Sequence, residues 1–376
     1  MTMLRETKDA YLGLDNPSER EWTAWHEAML AERSRILREV FTGELQGYPD
    51  DETRWSDRSF RQMFLFMYDA AFYDREARRY RTRELVLRWR QMFGRVDSVL
   101  LWHAYPRIGF DERAQFDFYR DMPGGLTALR RDVCDVFHAE GIRVFVDYNP
   151  WAEGSYEELA EIVEALDADG VMLDTMTDAP GELASTVLRR RGGVVFAPEL
   201  RMNDGDVPRH RQSWAQWIEI GDASTPSIPR LRWLTPQHRQ LLIRRWDRSR
   251  HHEIVYAFFN GLGLILWDNI FGARNPYSPE DRRRIAESAA ILDRYEDVFV
   301  RGTLTPLVPT GISGLDANRW EHEGVVVLTL QNRTGEQKRF ASPFDHAVVF
   351  WGDARRARRG ESVVVEPFGM QAIVVD

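Results

Sequence analysis

The chain has 376 residues, of which 43% are apolar and 29% charged, and its net charge is −9. That is the balance of a globular protein with room for one large and one small domain, and it argues against a partner held by broad neutralisation of nucleic-acid phosphates. One cysteine, Cys134, excludes an internal disulfide framework and a cysteine-built zinc site, and no run reaches the roughly 18 apolar residues of a membrane span.

Met1 to Arg20 is charged and has no apolar signal core, so a cytoplasmic location is expected. The arginine clusters at 189–191, 282–284 and 355–356 are short and interleaved with acids, which reads as solvated faces rather than a binding footprint. Neither a membrane nor a nucleic-acid partner is expected, and a homo-oligomer is compatible with this composition.

Residues 17–46 have helical periodicity in Trp22, Trp25, Met29, Ile36 and Val40, opened by Asn16-Pro17-Ser18, and are expected to form an N-terminal extension. From about residue 60 apolar runs alternate with helical patterns. Strands are expected at 63–68, 98–102, 142–146, 170–173 and 194–197, with helices over 82–93, 126–140, 156–166 and 183–190. Strand–helix alternation with short connections is the signature of parallel βα units. Strands six and seven are expected at 214–220 and 230–234, a helix at 237–248, a last strand at 262–267 and a long closing helix at 279–298.

Eight such strands make an α/β fold, a (β/α)8 TIM barrel. The runner-up, an open doubly wound sheet, lacks a Gly-x-Gly-x-x-Gly fingerprint after an early strand. After about residue 303 short strands with glycine and charged turns replace the helices, which reads as a small antiparallel β-sandwich. The expected division is a helical extension over 1–58, a barrel over 59–302 and a sandwich over 303–376.

Chemistry in such barrels sits at the C-terminal ends of the strands. There the second strand supplies Trp102, His103, Tyr105 and Arg107, and the third Asp147, Asn149 and Trp151. The fourth supplies Asp174, the fifth Glu199, and the last Trp267, Asp268 and Asn269. Aromatic planes stack on the C–H faces of sugars, while carboxylates, amides and a guanidinium bond hydroxyls, so the pattern points to a small carbohydrate substrate. Trp214, Trp217 and Trp246 are expected in the core instead.

Two carboxylates one βα unit apart suit glycoside hydrolysis. Neighbouring strands lie about 4.8 Å apart, which can serve the about 5–5.5 Å separation of a retaining pair or the wider inverting one. Asp174 is assigned as nucleophile and Glu199 as general acid/base, the apolar Phe196-Ala197-Pro198 before it favouring a protonated form. His103 and Arg107 would bond hydroxyls or orient a carboxylate. Asp147 and Asp268 would bind hydroxyls, with either open as the true acid. No cofactor and no metal are implied.

An Asp at strand four and a Glu at strand five, followed by an all-β C-terminal domain, resemble the α-amylase-type retaining α-glycosidases and their barrel relatives, among them the dextranase and endo-α-N-acetylgalactosaminidase families. The unit from Gly124-Gly125-Leu126 through Asp147-Tyr148-Asn149-Pro150-Trp151 resembles α-galactosidase-type barrels. The blocks at 101–109, 115–125, 146–151, 170–176 and 213–217 are similar to a set of bacterial glycoside-hydrolase-like proteins, which together cover most of 60–300. The resemblance implies a barrel and a retaining pair at Asp174 and Glu199. Met172 stands where the α-amylase type has an Arg, two residues before the nucleophile, so the carry-over stops at the two carboxylates. Asp268-Asn269 stands where the bacterial set has Glu-Asn.

Two rival readings come from other classes. A metal-dependent hydrolase could draw on His103, His210, His238, His251 and His252, but neither His-x-His after the first strand nor His-Glu-x-x-His occurs. A carbohydrate-binding barrel without catalysis would keep the same pocket.

Overall fold

A computed structural model of the chain describes residues 4–41, 51–105, 112–215, 225–243, 250–267, 269–270, 273–274, 276–349 and 355–375. At its centre are eight strands: β1 Arg61–Phe66, β2 Ser98–Trp102, β3 Arg143–Tyr148, β4 Gly170–Leu173, β5 Val195–Pro198, β6 Gln212–Ala215, β7 Arg239–Leu242 and β8 Gly263–Leu266. They pair in parallel in the order β6-β7-β8-β1-β2-β3-β4-β5. β5 and β6 lie side by side at the seam, where His210 Nδ1–H donates to the Phe196 carbonyl at 3.1 Å. The result is a near-closed barrel, as the alternation predicts.

Beside a single helical turn at Asp117–Arg120 and 3-10 turns at Asp51–Arg58 and Asp204–Arg209, the helices among the described residues are α1 Glu19–Glu39, α2 Thr82–Phe93, α3 over 125–139, α4 Tyr156–Leu166, α5 Gly181–Arg190, α6 Arg230–Leu234, α7 His251–Phe259, α8 Pro279–Arg294 and α9 Glu296–Arg301. α1 starts where the Ser18–Glu21 capping box satisfies its first N–H groups, as a Ser followed by Glu three residues on allows. No helix among the described residues is long and apolar enough to cross a membrane.

Alternate strand residues point into the barrel. Phe64, Leu100, Phe145, Met172, Ala197 and Ile265 share one buried cluster there. Gly170 opens β4 because it faces Phe145 across the β3–β4 ladder, and a Cβ on it would lie 2.2 Å from a carbon of that ring. Gly170→Ala is therefore expected to cost about 1–3 kcal/mol through overpacking. The check is a lower urea midpoint at unchanged slope.

Asp169, just before β4, accepts from Val144 N–H at 2.9 Å, His138 Nε2–H at 2.8 Å and Arg143 at 2.8 Å. Burial alone would raise its pKa, but these donors outweigh burial and hold it below the ordinary value of 3.8. A carboxylate depressed in the folded state adds stability above its unfolded pKa, and that stability is lost as pH falls through the folded one. Asp169→Asn should thus be less stable at neutral pH, and its deficit against wild type should shrink below about pH 3.8. Urea midpoints taken at neutral pH and in acid check this.

Beyond α9 the chain forms β9 Thr303–Thr305, β10 Leu315–His322, β11 Val325–Asn332, β12 Lys338–Ala341, β13 Ala347–Val349, β14 Arg355–Ala357, β15 Ser362–Val365 and β16 Met370–Val375. Six make one antiparallel sheet in the order β9-β10-β11-β16-β13-β14, and β12 pairs with β15. The β12–β15 ribbon packs Phe340, Val363 and Val365 against Leu328, Leu330 and Ile373, giving the sandwich. The other face caps the C-terminus of α7: Asn318 Nδ2 and Thr329 Oγ1 donate to the Phe259 carbonyl at 3.0 and 2.8 Å.

Strand six, expected at 214–220, is β6 up to residue 215 and beyond that lies outside the described residues. The closing helix expected over 279–298 is divided into α8 and α9 at Tyr295, and two expected elements differ in type. Residues 230–234, expected as strand seven, are helix α6, docked under α1 by Trp233 Nε1–H to the Met29 carbonyl at 3.2 Å. Strand seven is β7, inside the stretch expected as a helix. Its polar start misleads: Arg239 is fully buried and donates to the carbonyls of Asp57 and Gly261, bonds that only the folded barrel supplies.

Candidate active site

The ladders set the heights of the site residues. Asp147 pairs with Met172, and Met172 with Ala197. Asp174 and Glu199 each lie two residues further on, roughly 6–7 Å closer to the C-terminal mouth. Strand alternation turns all three carboxylates inward. All are nearly inaccessible, with Asp147 at 0%, Asp174 at 2% and Glu199 at 5% exposure.

Asp174 N–H donates to the Tyr148 carbonyl at 2.9 Å, and Asn149 Nδ2 reaches Asp174 Oδ2 at 3.4 Å. Asn149 is itself held on both sides. Its N–H donates to Gln115 Oε1 at 2.8 Å, Gln115 Nε2 donates to its carbonyl at 3.1 Å, and its Oδ1 accepts from Trp151 N–H at 3.2 Å. Thr175 takes φ +55°, a left-handed conformation that costs a β-branched residue on the order of 1–3 kcal/mol. In that conformation its N–H donates to Glu199 Oε2 at 2.7 Å.

Deeper in the barrel, His103 Nε2 lies 3.4 Å from Asp147 Oδ2, and His103 Nδ1 bonds the Ala104 carbonyl. Asp147 N–H donates to the Tyr119 hydroxyl at 2.9 Å, which donates to the Leu101 carbonyl at 2.7 Å. Burial first, then the charges of Asp174 and Glu199, push the Asp147 carboxyl well above the ordinary range. Burial pulls His103 down to about 4 against the opposing bond to Ala104.

The structure thus brings Asp147, Asn149, Asp174, Glu199 and His103 together. Trp102 and Trp267 are in the buried cluster inside the barrel, the latter under the Arg250 guanidinium at 4.2 Å. Tyr105 and Trp151 stand at the rim with ring centres 5.5 Å apart, and Trp151 is 55% exposed. Asn269 Nδ2 donates to Asp69 Oδ2 at 2.6 Å. Arg107, Asp268, Trp217 and Trp246 lie outside the described residues, and Trp214 is buried as expected. Sequence reasoning passed over Gln115 and Tyr119, which support Asn149 and Asp147 from the 115–120 turn. Gln115 carries no local signal, since its partners are backbone atoms more than 30 positions away. Among the described residues no group of three or more His, Cys, Asp or Glu is arranged to hold a metal ion.

The sequence matches no protein-family model and no curated protein. Solved structures do match. An α-amylase from Anoxybacillus aligns at TM-score 0.60 and 13% identity over 85% of this chain and 98% of its own. The debranching enzyme of Nostoc punctiforme, soaked with acarbose, aligns at TM-score 0.60 and 11% identity over 85% and 99%. The α-amylase of Geobacillus thermoleovorans, complexed with acarbose, aligns at TM-score 0.55 and 12% identity over 86% and 99%.

The chain has a glycoside-hydrolase-like (β/α)8 fold. At these identities the likeness is one of fold. It is the fold predicted from the strand–helix alternation, with the C-terminal β domain in its expected place.

Proposed function

We propose that this barrel is a retaining glycoside hydrolase acting on a small glycoside or oligosaccharide, with Asp174 as nucleophile and Glu199 as general acid/base. One observation carries the reading: adjacent parallel strands turn a carboxylate each into the barrel, one inward step beyond the paired Met172 and Ala197. The about 4.8 Å between neighbouring strands accommodates the about 5–5.5 Å separation of a retaining pair. Asp174 Oδ attacks the anomeric carbon while Glu199 gives its proton to the departing oxygen. Water then enters on the Glu199 side, loses a proton to it and releases the sugar with its configuration retained. Tyr105 and Trp151 would offer an aromatic rim to a second sugar ring. The structural neighbours that carry acarbose or maltose support a carbohydrate ligand.

A barrel that binds carbohydrate without turning it over is the second reading. The Thr175 N–H on Glu199 Oε2 favours it, because that bond occupies an oxygen that a general acid would turn toward the departing group. A panel of aryl glycosides of both anomers, with the first-formed product followed by NMR, separates the two. Turnover with retention supports the hydrolase. Ligand binding with no turnover across the panel supports the binding protein.

A further inference from the structure

Asp147 is the one carboxylate of the three that the proposed reaction does not use. It is also fully buried, and among the described residues neither of its side-chain oxygens makes a hydrogen bond of ordinary geometry, although His103 Nε2 lies 3.4 Å from Oδ2. Among the described residues the titratable groups facing it are His103 after β2, Tyr119 from the helical turn at 117–120, Asp174 after β4 and Glu199 after β5. Its neighbour across the ladder, Met172, offers no charge.

The histidine tautomer decides what this contact can be. The Ala104 carbonyl has no hydrogen to give, so His103 Nδ1 must be the donor there. In a neutral ring Nε2 then carries a lone pair. An Asp147 oxygen 3.4 Å from a lone pair is attractive only if that oxygen bears a proton. The other state, an imidazolium beside a carboxylate, would place a full ion pair at 0% exposure with both carboxylate oxygens poorly bonded, so the loss of hydration would outweigh the attraction.

We infer that Asp147 is held as the neutral acid, donating from Oδ2 to His103 Nε2, and acts as a positioning residue beneath the Asp174–Glu199 pair. The burial-driven pKa directions of both groups agree with this geometry. A neutral Asp147 spares Asp174 a like charge from below, so the proposed nucleophile stays ionised when Glu199 carries the proton. The inference rests on the glycosidase reading for its consequence, but the protonation state stands apart from it.

The test uses the full chain. Asp147→Asn keeps a neutral side chain with an N–H to offer His103, whereas Asp147→Ala removes the donor. Expected on the best aryl glycoside is a loss in kcat of at least about tenfold for Asp147→Ala, with KM little changed, and recovery to within about threefold for Asp147→Asn. Both limbs of the Asp147→Asn pH profile should coincide with wild type, since one neutral group replaces another. Histidine-selective 15N spectra of the wild type, assigned by a His103→Gln variant, should show a neutral ring protonated on Nδ1 near pH 7. This measurement needs neither turnover nor an Asp147 variant that folds. The inference is overturned if folded Asp147→Asn is as slow as Asp147→Ala, or if its pH limbs move acidward by about one unit, the mark of a lost negative charge. It is also overturned if His103 is doubly protonated near neutrality. Should the wild type turn over no glycoside, the hydrolase reading fails and the 15N spectra alone decide the pair.

Discussion

Asp174→Asn should lower turnover of any accepted aryl glycoside by at least about 10³-fold, about 4 kcal/mol of barrel-assisted barrier lowering. The amide keeps the shape and the contact to Asn149 but has no nucleophilic oxygen anion. Glu199→Gln should behave differently. It removes proton donation, worth about 10²–10⁴-fold, but only where the leaving group needs it. With a good leaving group such as dinitrophenolate, formation of the glycosyl-enzyme should be nearly normal and its hydrolysis slow, so a burst appears. With an alkyl leaving group, turnover should collapse. Asp174→Asn should fail with both substrates. If the burst appears in Asp174→Asn instead, the two roles are exchanged. If both variants retain wild-type rates, neither carboxylate is catalytic. Unchanged circular dichroism is the control for folding.

The second large effect concerns the joint between barrel and C-terminal sheet. Trp320 on β10 is fully buried, its ring 5.3 Å from Phe299 of α9 and under the Arg232 guanidinium at 4.8 Å. Its Nε1–H donates to Thr329 Oγ1 at 3.1 Å, and that hydroxyl in turn caps α7 at Phe259. Trp320→Ala should cost about 3–5 kcal/mol, the range for deleting a buried large aromatic. Arg232 makes the loss larger than packing alone would. It is a fully buried cation bonded to the Pro236 and Phe299 carbonyls, and the indole is the aromatic face it rests on. Trp320→Phe should recover most of the loss, because a ring again covers Arg232. Urea unfolding of the three proteins checks the order. A Trp320→Ala midpoint equal to wild type would show that the sheet adds little to barrel stability.

Much of the architecture was legible in the sequence because the elements that build it are locally encoded. Thr82–Phe93, Ser98–Trp102 and Tyr156–Leu166 were expected at the bounds they have, since their periodicity and caps act over a few residues. The same local logic marked Asp174 and Glu199, each a carboxylate directly after an apolar run. Strands β6 and β7 were less legible because their starts are polar. Gln212 and Arg239 are buried by neighbours far away in the chain, and no local pattern announces that.

What the sequence determined by itself was therefore the parallel βα series, the β-rich tail and the presence of carboxylates at strand ends. What only the tertiary structure decided was the depth and company of each side chain. The ladders set Asp147 a step below Asp174 and Glu199, and the turn after β2 folds His103 inward against it. Trp102 and Trp267, equivalent in sequence to rim aromatics, went into the barrel interior, while Trp151 stayed outside. The reason is physical: hydrophobic pattern and capping are properties of neighbours along the chain, whereas burial, protonation and stacking depend on neighbours across strands.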